Sequence, residues 1–159
     1  MDRVKAAIFS SLGAKVMGAR VLDLFAGAGG LGIEAMSRGA ASAVFVESNR
    51  NAARAIERNL VITAVNGHVR MQDVFDFLKY ATGHFDIIFA DPPYESAPGD
   101  KAYTDWLLND PRIPVLLALQ GVFVLEKRPD ERLPQHPHWK ITRARRYGTT
   151  EVIFAEQQR

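Results

Sequence analysis

The chain is 159 residues long, 47% hydrophobic and 24% charged, with a formal net charge of +2. That length suits one domain with a sizeable core, and no apolar run approaches the roughly 20 residues that span a bilayer. The absence of cysteine excludes a disulfide framework, a thiolate nucleophile and a Cys-based zinc site, and so mild a positive charge does not by itself announce a nucleic-acid partner.

The opening MDRVKAAIFSSLG lacks the long apolar core and small-residue cleavage site of a secretory signal, so a cytoplasmic location is expected. Val4, Ile8, Phe9 and Leu12 recur at helical spacing behind Asp2, a natural N-cap, and Gly13 follows, which predicts a helix over 3–12. Short β-rich runs come next at 20–25, 42–47, 68–72 and 85–90, separated by helical patterns at 30–38, 50–65 and 74–81. Parallel strands need crossovers of a dozen or so residues, and these helices supply them, so this half reads as a doubly wound parallel sheet whose ligand lies at the carboxyl ends of the strands. A helix within 101–119, interrupted near Pro111 and Pro114, leads into a strand at 121–127. The runs 139–148 and 150–156 are joined by a turn too short for a crossover, so they pair as an antiparallel hairpin. A single domain over 1–159 is expected, because no repeat or low-complexity linker divides the chain; residues 128–138 form its one Pro-rich loop.

Three motifs carry chemistry. Gly27, Gly29 and Gly32 spell G-x-G-x-x-G between the first strand and the second helix, a loop that lets backbone approach a ligand closely and that suits either a nicotinamide dinucleotide or S-adenosylmethionine. Glu47 ends the second strand 20 residues after Gly27, where a carboxylate accepts hydrogen bonds from the ribose hydroxyls of either cofactor. The choice falls on D-P-P-Y at 91–94. Pro92 and Pro93 donate no N–H and disfavour the helical region for the residue before each. The Asp91 carboxylate and Pro92 carbonyl are thereby left as two acceptors for a primary amine. Two acceptors on the hydrogens of an exocyclic nucleobase amine restore its delocalised lone pair. Tyr94 adds a flat face for a flipped base. Hydride transfer needs none of this, so the loop is assigned to S-adenosylmethionine.

These blocks resemble the RsmD-type family of bacterial methyltransferases that modify guanine N2 in small-subunit ribosomal RNA. DRVKAAIF at the start, VLDLFAGAGGLGIEAMSRGA (21–40), FVE (45–47), DPPY (91–94) and RRYG followed by TEVIF occur in the family's order over nearly the whole chain. The resemblance implies a seven-stranded Rossmann-like methyltransferase sheet, mostly parallel, with its last strand antiparallel. It implies that Asp23, Phe25, Gly27 and Gly29 line the cofactor loop, that Glu47 takes the ribose, and that Asp73 with the Val74 backbone addresses adenine. It also raises two cation clusters above a merely solvated face: Arg143 and Arg145 alternate on one strand while Lys127 and Arg128 end its expected neighbour, together a rim for RNA phosphate. Family members usually carry a basic β-hairpin ahead of the DRV helix, at which this chain starts. The expected partner is ribosomal RNA within the small subunit or its assembly intermediate, met by a monomer.

Other readings of the same residues are an adenine-N6 methyltransferase on DNA or RNA, since D-P-P-Y recognises an amine and not the base bearing it, a protein-glutamine methyltransferase, and an RNA-binding assembly module with an inactive site. His84 reads as a surface loop residue, and His136 and His138 lack the partners a metal site needs, so no metal is expected. Trp106 and Trp139 read as packing residues.

Overall fold

The computed structural model describes residues 2–94 and 102–158. Residue 101, the expected start of the helix before Pro111, lies outside them. The first helix, α1 (Arg3–Leu12), begins where the Asp2 carboxylate accepts hydrogen bonds from the N–H groups of Val4 (2.7 Å) and Lys5 (3.3 Å), and it stops at Gly13, whose φ of 54° a side chain would resist. Its buried face of Ile8, Phe9 and Leu12 follows from the 3–4-residue spacing of those positions. A 3₁₀ turn at Gly13–Val16 delivers the chain to β1 (Arg20–Leu24).

Then strand and helix alternate: α2 (Gly30–Ser37), β2 (Ser42–Val46), α3 (Arg50–Thr63), β3 (Gly67–Arg70), α4 (Val74–Tyr80), β4 (Phe85–Ala90), α5 (Tyr103–Asn109), α6 (Arg112–Leu116), β5 (Leu117–Lys127), β6 (Trp139–Tyr147) and β7 (Thr150–Gln157). All seven strands form one sheet in the order β3-β2-β1-β4-β5-β7-β6, with β7 antiparallel to both its neighbours and every other pairing parallel. The doubly wound, mostly parallel sheet ending in an antiparallel hairpin is thus the observed architecture. No helix among the described residues is long and apolar enough to cross a membrane.

Alternation along the central strands splits the core into two layers. Val21, Phe89 and Val124 face α1, α2 and α3 with Ile8, Phe9, Phe45 and Ile56; Leu22, Leu24, Ile88, Phe123 and Leu125 face α4, α5 and α6 with Leu78, Leu107 and Ile113. The third glycine of the loop motif is part of this packing. A Cβ at Gly32 would lie 2.3 Å from the Phe45 ring, so glycine there lets α2 seat on β2.

Two expectations are corrected. The helix before β5 is interrupted at Asp110 and Pro111 as expected, but Pro114 sits within α6 without breaking it, and β5 starts at Leu117, four residues early, because Leu117 pairs with Phe85 ahead of a register shift. Strand β6 is not the neighbour of β5. The returning arm β7 takes the place beside β5 and leaves β6 at the sheet edge, so Lys127 and Arg128 do not adjoin Arg143 and Arg145.

Candidate functional site

The strands β1 and β4 end level, Leu24 beside Ala90, and Ala90 stands beside Leu125 of β5, which runs on to Lys127. The segments that follow diverge around a cleft of about 470 Å³, within the range of about 300–1,000 Å³ usual for small-molecule sites. Its walls are Phe25 to Ala28, Val46 to Ser48, Asp73 with Val74, Asp91 with Pro93, and Tyr103. Every position that the resemblance assigned to the cofactor except Asp23 and Gly29 lines this cleft. Those two act from behind it.

The chain leaves β1 through Phe25, a non-glycine residue at φ 56°, a strained conformation in which the ring stands over the cleft. Gly27 and Gly29 also take positive φ, 58° and 87°, and nothing lies within 4 Å of a Cβ built on Gly27, so backbone at that point is open to a ligand. Glu47 fixes the loop from β2. Its Oε1 accepts the Gly27 N–H at 2.7 Å and its Oε2 accepts the Asn49 N–H at 2.9 Å. Each carboxylate oxygen keeps a second lone pair, so a clamped Glu47 can still accept from two hydroxyl groups.

Asp73 caps α4, with Oδ1 accepting from Phe75 (2.9 Å) and Asp76 (3.1 Å). Its Oδ2 and the Val74 N–H, which that cap does not take, are the complement of an amine beside a ring nitrogen. Acceptors for two hydroxyls at one end and an acceptor–donor pair at the other fit an adenosine.

Phe25 and Tyr103 line the same cleft, with Phe75 and Trp106 packed behind them; the sequence reading named Phe25 for the cofactor loop and Trp106 for packing but passed over Phe75 and Tyr103. Phe25 meets Tyr103 edge-on at 5.4 Å and Phe75 at 6.4 Å, Phe75 and Tyr103 stack at 6.3 Å with 12° between planes, and Trp106 abuts Phe75 at 5.9 Å. Phe75 sits two positions after the capping Asp73, which was the only available signal; Tyr103 follows a segment whose path no local pattern sets.

A second cavity of about 190 Å³ opens on the α1 side of the strand ends and meets the first at Phe25, Ala26 and Asp91. Asp2, the N-cap of α1, and Lys5 within it line this cavity together with Asp23, Asp91 and Glu126. Asp23 is buried, and its Oδ2 accepts the Gly32 N–H at 3.0 Å, capping α2 from a neighbouring strand. Desolvation pushes its carboxyl up to about 8, against the Gly32 hydrogen bond and with help from the charges of Asp91 and Glu47. Glu126, half-buried, is also pushed up to about 8, by desolvation first and then by Asp91, Asp2 and Asp23. The two carboxyl groups of Glu126 and Asp91 share a hydrogen bond. Asp91 is raised as well, by desolvation first and then by Asp2, although solvent reaches this exposed residue and screens the effect. Glu126 is therefore the member that keeps a proton near neutrality, and Asp91 the member that accepts. The sequence reading passed over Glu126.

Pro92 is buried while Pro93 and Tyr94 are exposed. The Tyr94 hydroxyl lies 3.1 Å from the Thr150 hydroxyl, and the Arg128 guanidinium carbon is 4.8 Å from the centre of its ring. The expected phosphate rim is therefore rearranged. Lys127 is not available to a phosphate: it is 2% exposed, and its Nζ donates to Glu151 Oε1 (2.8 Å) and to the Arg128 carbonyl (2.6 Å). The pairing with Glu151, its register partner on β7, is what makes that burial tolerable. The Arg128 guanidinium is held over the Tyr94 ring. Arg143 and Arg145 are exposed on β6; they pair with Phe154 and Val152 of the α1-side layer, and Arg143 donates to the Ser11 hydroxyl at 3.0 Å.

A family model described as conserved hypothetical protein 95 matches residues 1–156. The chain is 32% identical to the ribosomal RNA small subunit methyltransferase D of Escherichia coli strain K12, aligning 99% of this chain with 77% of that one. It is 30% identical to the protein of the same name from Haemophilus influenzae, over 92% of this chain and 76% of that one. Among solved structures, a conserved hypothetical protein from Streptococcus pyogenes superposes with a TM-score of 0.83 at 33% identity, covering 97% of this chain and 95% of its own. The fold also matches the Thermus thermophilus 16S rRNA N2 G1207 methyltransferase (RsmC), solved with AdoMet and guanosine, at a TM-score of 0.76 and 24% identity over 99% of this chain and 44% of that one.

Proposed function

As the chain belongs to the RsmD family of ribosomal RNA small subunit methyltransferases, we propose that it transfers a methyl group from S-adenosylmethionine to the exocyclic N2 amine of a guanine in 16S ribosomal RNA. The observation that carries this reading is the meeting of two features at one point. A cleft with the acceptors and donor of an adenosine site ends at Asp91, the first residue of D-P-P-Y. The adenine-N6 reading and the inactive-module reading have no observation in their favour, and the small-subunit relatives weigh against both.

Glu47 would accept hydrogen bonds from the two ribose hydroxyls, Asp73 Oδ2 and the Val74 N–H would take the adenine edge, and the loop from Phe25 to Gly29 would hold the rest of the cofactor, with Asp23 keeping α2 in place behind it. The bound cofactor supplies an electrophilic methyl on a sulfonium. Asp91 and the Pro92 carbonyl accept the two hydrogens of the guanine amine, drawing it toward tetrahedral geometry and aiming its lone pair into the cleft. Pro93 keeps Pro92 extended so that its carbonyl has no local N–H to bond. Glu126, protonated, donates to Asp91 and leaves it the acceptor of the pair. The proton shed by the amine after transfer passes to Asp91. Tyr94 stacks the extruded base. Arg143 and Arg145 meet RNA phosphate on the α1 side, and the substrate is the small subunit or its assembly intermediate.

Incubation with labelled methyl donor and, in separate reactions, 16S rRNA, small subunits, tRNA and DNA tests the proposal. Label enters rRNA or small subunits, and Asp91→Ala abolishes turnover while leaving the donor dissociation constant within about threefold. Label confined to DNA or tRNA contradicts the substrate, and near-normal single turnover by Asp91→Ala removes that residue from the mechanism.

A further inference from the structure

The geometry points to Arg128 as a positioning residue that holds Tyr94 as the stacking face for the target base, instead of meeting a phosphate. The inference rests on the reading of Tyr94 as that face. Arg128 follows β5 directly, and its backbone is pinned because its carbonyl accepts from the buried Lys127 Nζ at 2.6 Å. Its guanidinium then lies over the Tyr94 ring, 4.8 Å from guanidinium carbon to ring centre.

Tyr94 is restrained at three places. Two prolines fix its backbone approach, Thr150 at the start of β7 holds its hydroxyl at 3.1 Å, and Arg128 covers one face. An exposed tyrosine ring free in solvent offers a base two faces and several orientations. This one offers a single face in a set orientation, so less freedom is lost when a base stacks on it. A guanidinium suits that place over the ring, with its charge spread over a plane and weakly hydrated; a lysine ammonium is a compact, strongly hydrated charge better suited to meeting a phosphate.

That difference separates the two roles. If Arg128 contacted phosphate, Arg128→Lys would retain function, and Arg128→Ala would lower the slope of log affinity against log salt by about 0.7 to 0.9. As a positioning residue, Arg128→Ala and Arg128→Lys both lower kcat by about two- to fivefold, with the RNA KM, its salt slope and the donor dissociation constant unchanged.

The decisive experiment is a double-mutant cycle in the full chain with Tyr94→Ala, measured as kcat on the rRNA substrate that accepts label. Tyr94→Ala alone lowers kcat by about five- to 150-fold through loss of base stacking, and adding Arg128→Ala to it changes nothing further. Three results overturn the inference: Arg128→Lys at wild-type rate, a reduced salt slope for Arg128→Ala, or an undiminished effect of Arg128→Ala in the Tyr94→Ala background. A wild-type rate for Tyr94→Ala itself refutes the stacking role of Tyr94, a separate failure that leaves Arg128 nothing to act through. Thr150→Val gives an independent arm. It removes the other restraint on the same ring without touching any cation, and it lowers kcat in the same direction with no change in salt slope.

Discussion

Replacing Glu47 with alanine removes one carboxylate from two jobs, and the structure sets the size of each. In the free protein Oε1 and Oε2 hold the N–H groups of Gly27 and Asn49 at 2.7 and 2.9 Å. Hydrogen bonds to a charged group contribute about 1.5–3 kcal/mol apiece when buried. Glu47 is only half-buried, and water replaces part of what is lost, so the net destabilisation is about 2 kcal/mol for the pair. The second job is the ribose. Loss of its two-hydroxyl acceptor costs about 1–3 kcal/mol of donor binding, a fall in affinity of roughly five- to 150-fold. Glu47→Gln falls between, because an amide keeps one acceptor but turns an NH₂ donor toward Gly27 or Asn49. Urea denaturation reads the first effect and calorimetric titration with S-adenosylmethionine the second. A donor dissociation constant for Glu47→Ala within about twofold of wild type would refute the ribose role, whatever the stability change.

Gly32→Ala forces a Cβ into the Phe45 ring and costs about 1–3 kcal/mol or more of stability by urea denaturation, whereas Gly27→Ala, with open space around it and only positive φ to resist, costs about 1 kcal/mol. A Gly32→Ala protein as stable as wild type would show that α2 is not seated on β2 through this glycine. Lys127→Ala strands Glu151 and empties a buried site, lowering stability by about 2–4 kcal/mol while leaving the salt slope of RNA binding unchanged; a lower slope would return Lys127 to the phosphate rim. The Asp23 carboxyl, pushed up to about 8 in the folded chain and ordinary when unfolded, favours folding most at pH below about 4. That contribution drains as pH rises to about 8, by up to about 1.4 kcal/mol per pH unit. Asp23→Asn should flatten the stability profile between those limits, and an unchanged profile would place the titration elsewhere.

The sheet was legible because its signals are local. Asp2 and Gly13 bracket α1, short β-rich runs mark the parallel strands, and Gly148 with Thr149 leaves room only for a hairpin. The glycine loop, Glu47 and D-P-P-Y were legible for the same reason: each is a short segment whose chemistry its own residues fix. What stayed hidden depends on which segments end up side by side. Glu126 gains its meaning from β5 running past the end of β4, Tyr103 from its approach to Phe25, and Lys127 from β7 slotting in beside β5. A run of cations reads alike whether a lysine faces solvent or is buried against a glutamate. Sequence alternation alone sends Lys127 to the α4-side face, opposite Glu126, but only the pairing with Glu151 shows that this face is covered there.

The most direct test of the account is the chemical identity of the product. After reaction with methyl donor and small subunits or 16S rRNA, the RNA is digested to nucleosides and the methylated species identified by mass spectrometry. The account predicts N2-methylguanosine that depends on an intact Asp91, and N6-methyladenosine as the sole product would contradict it.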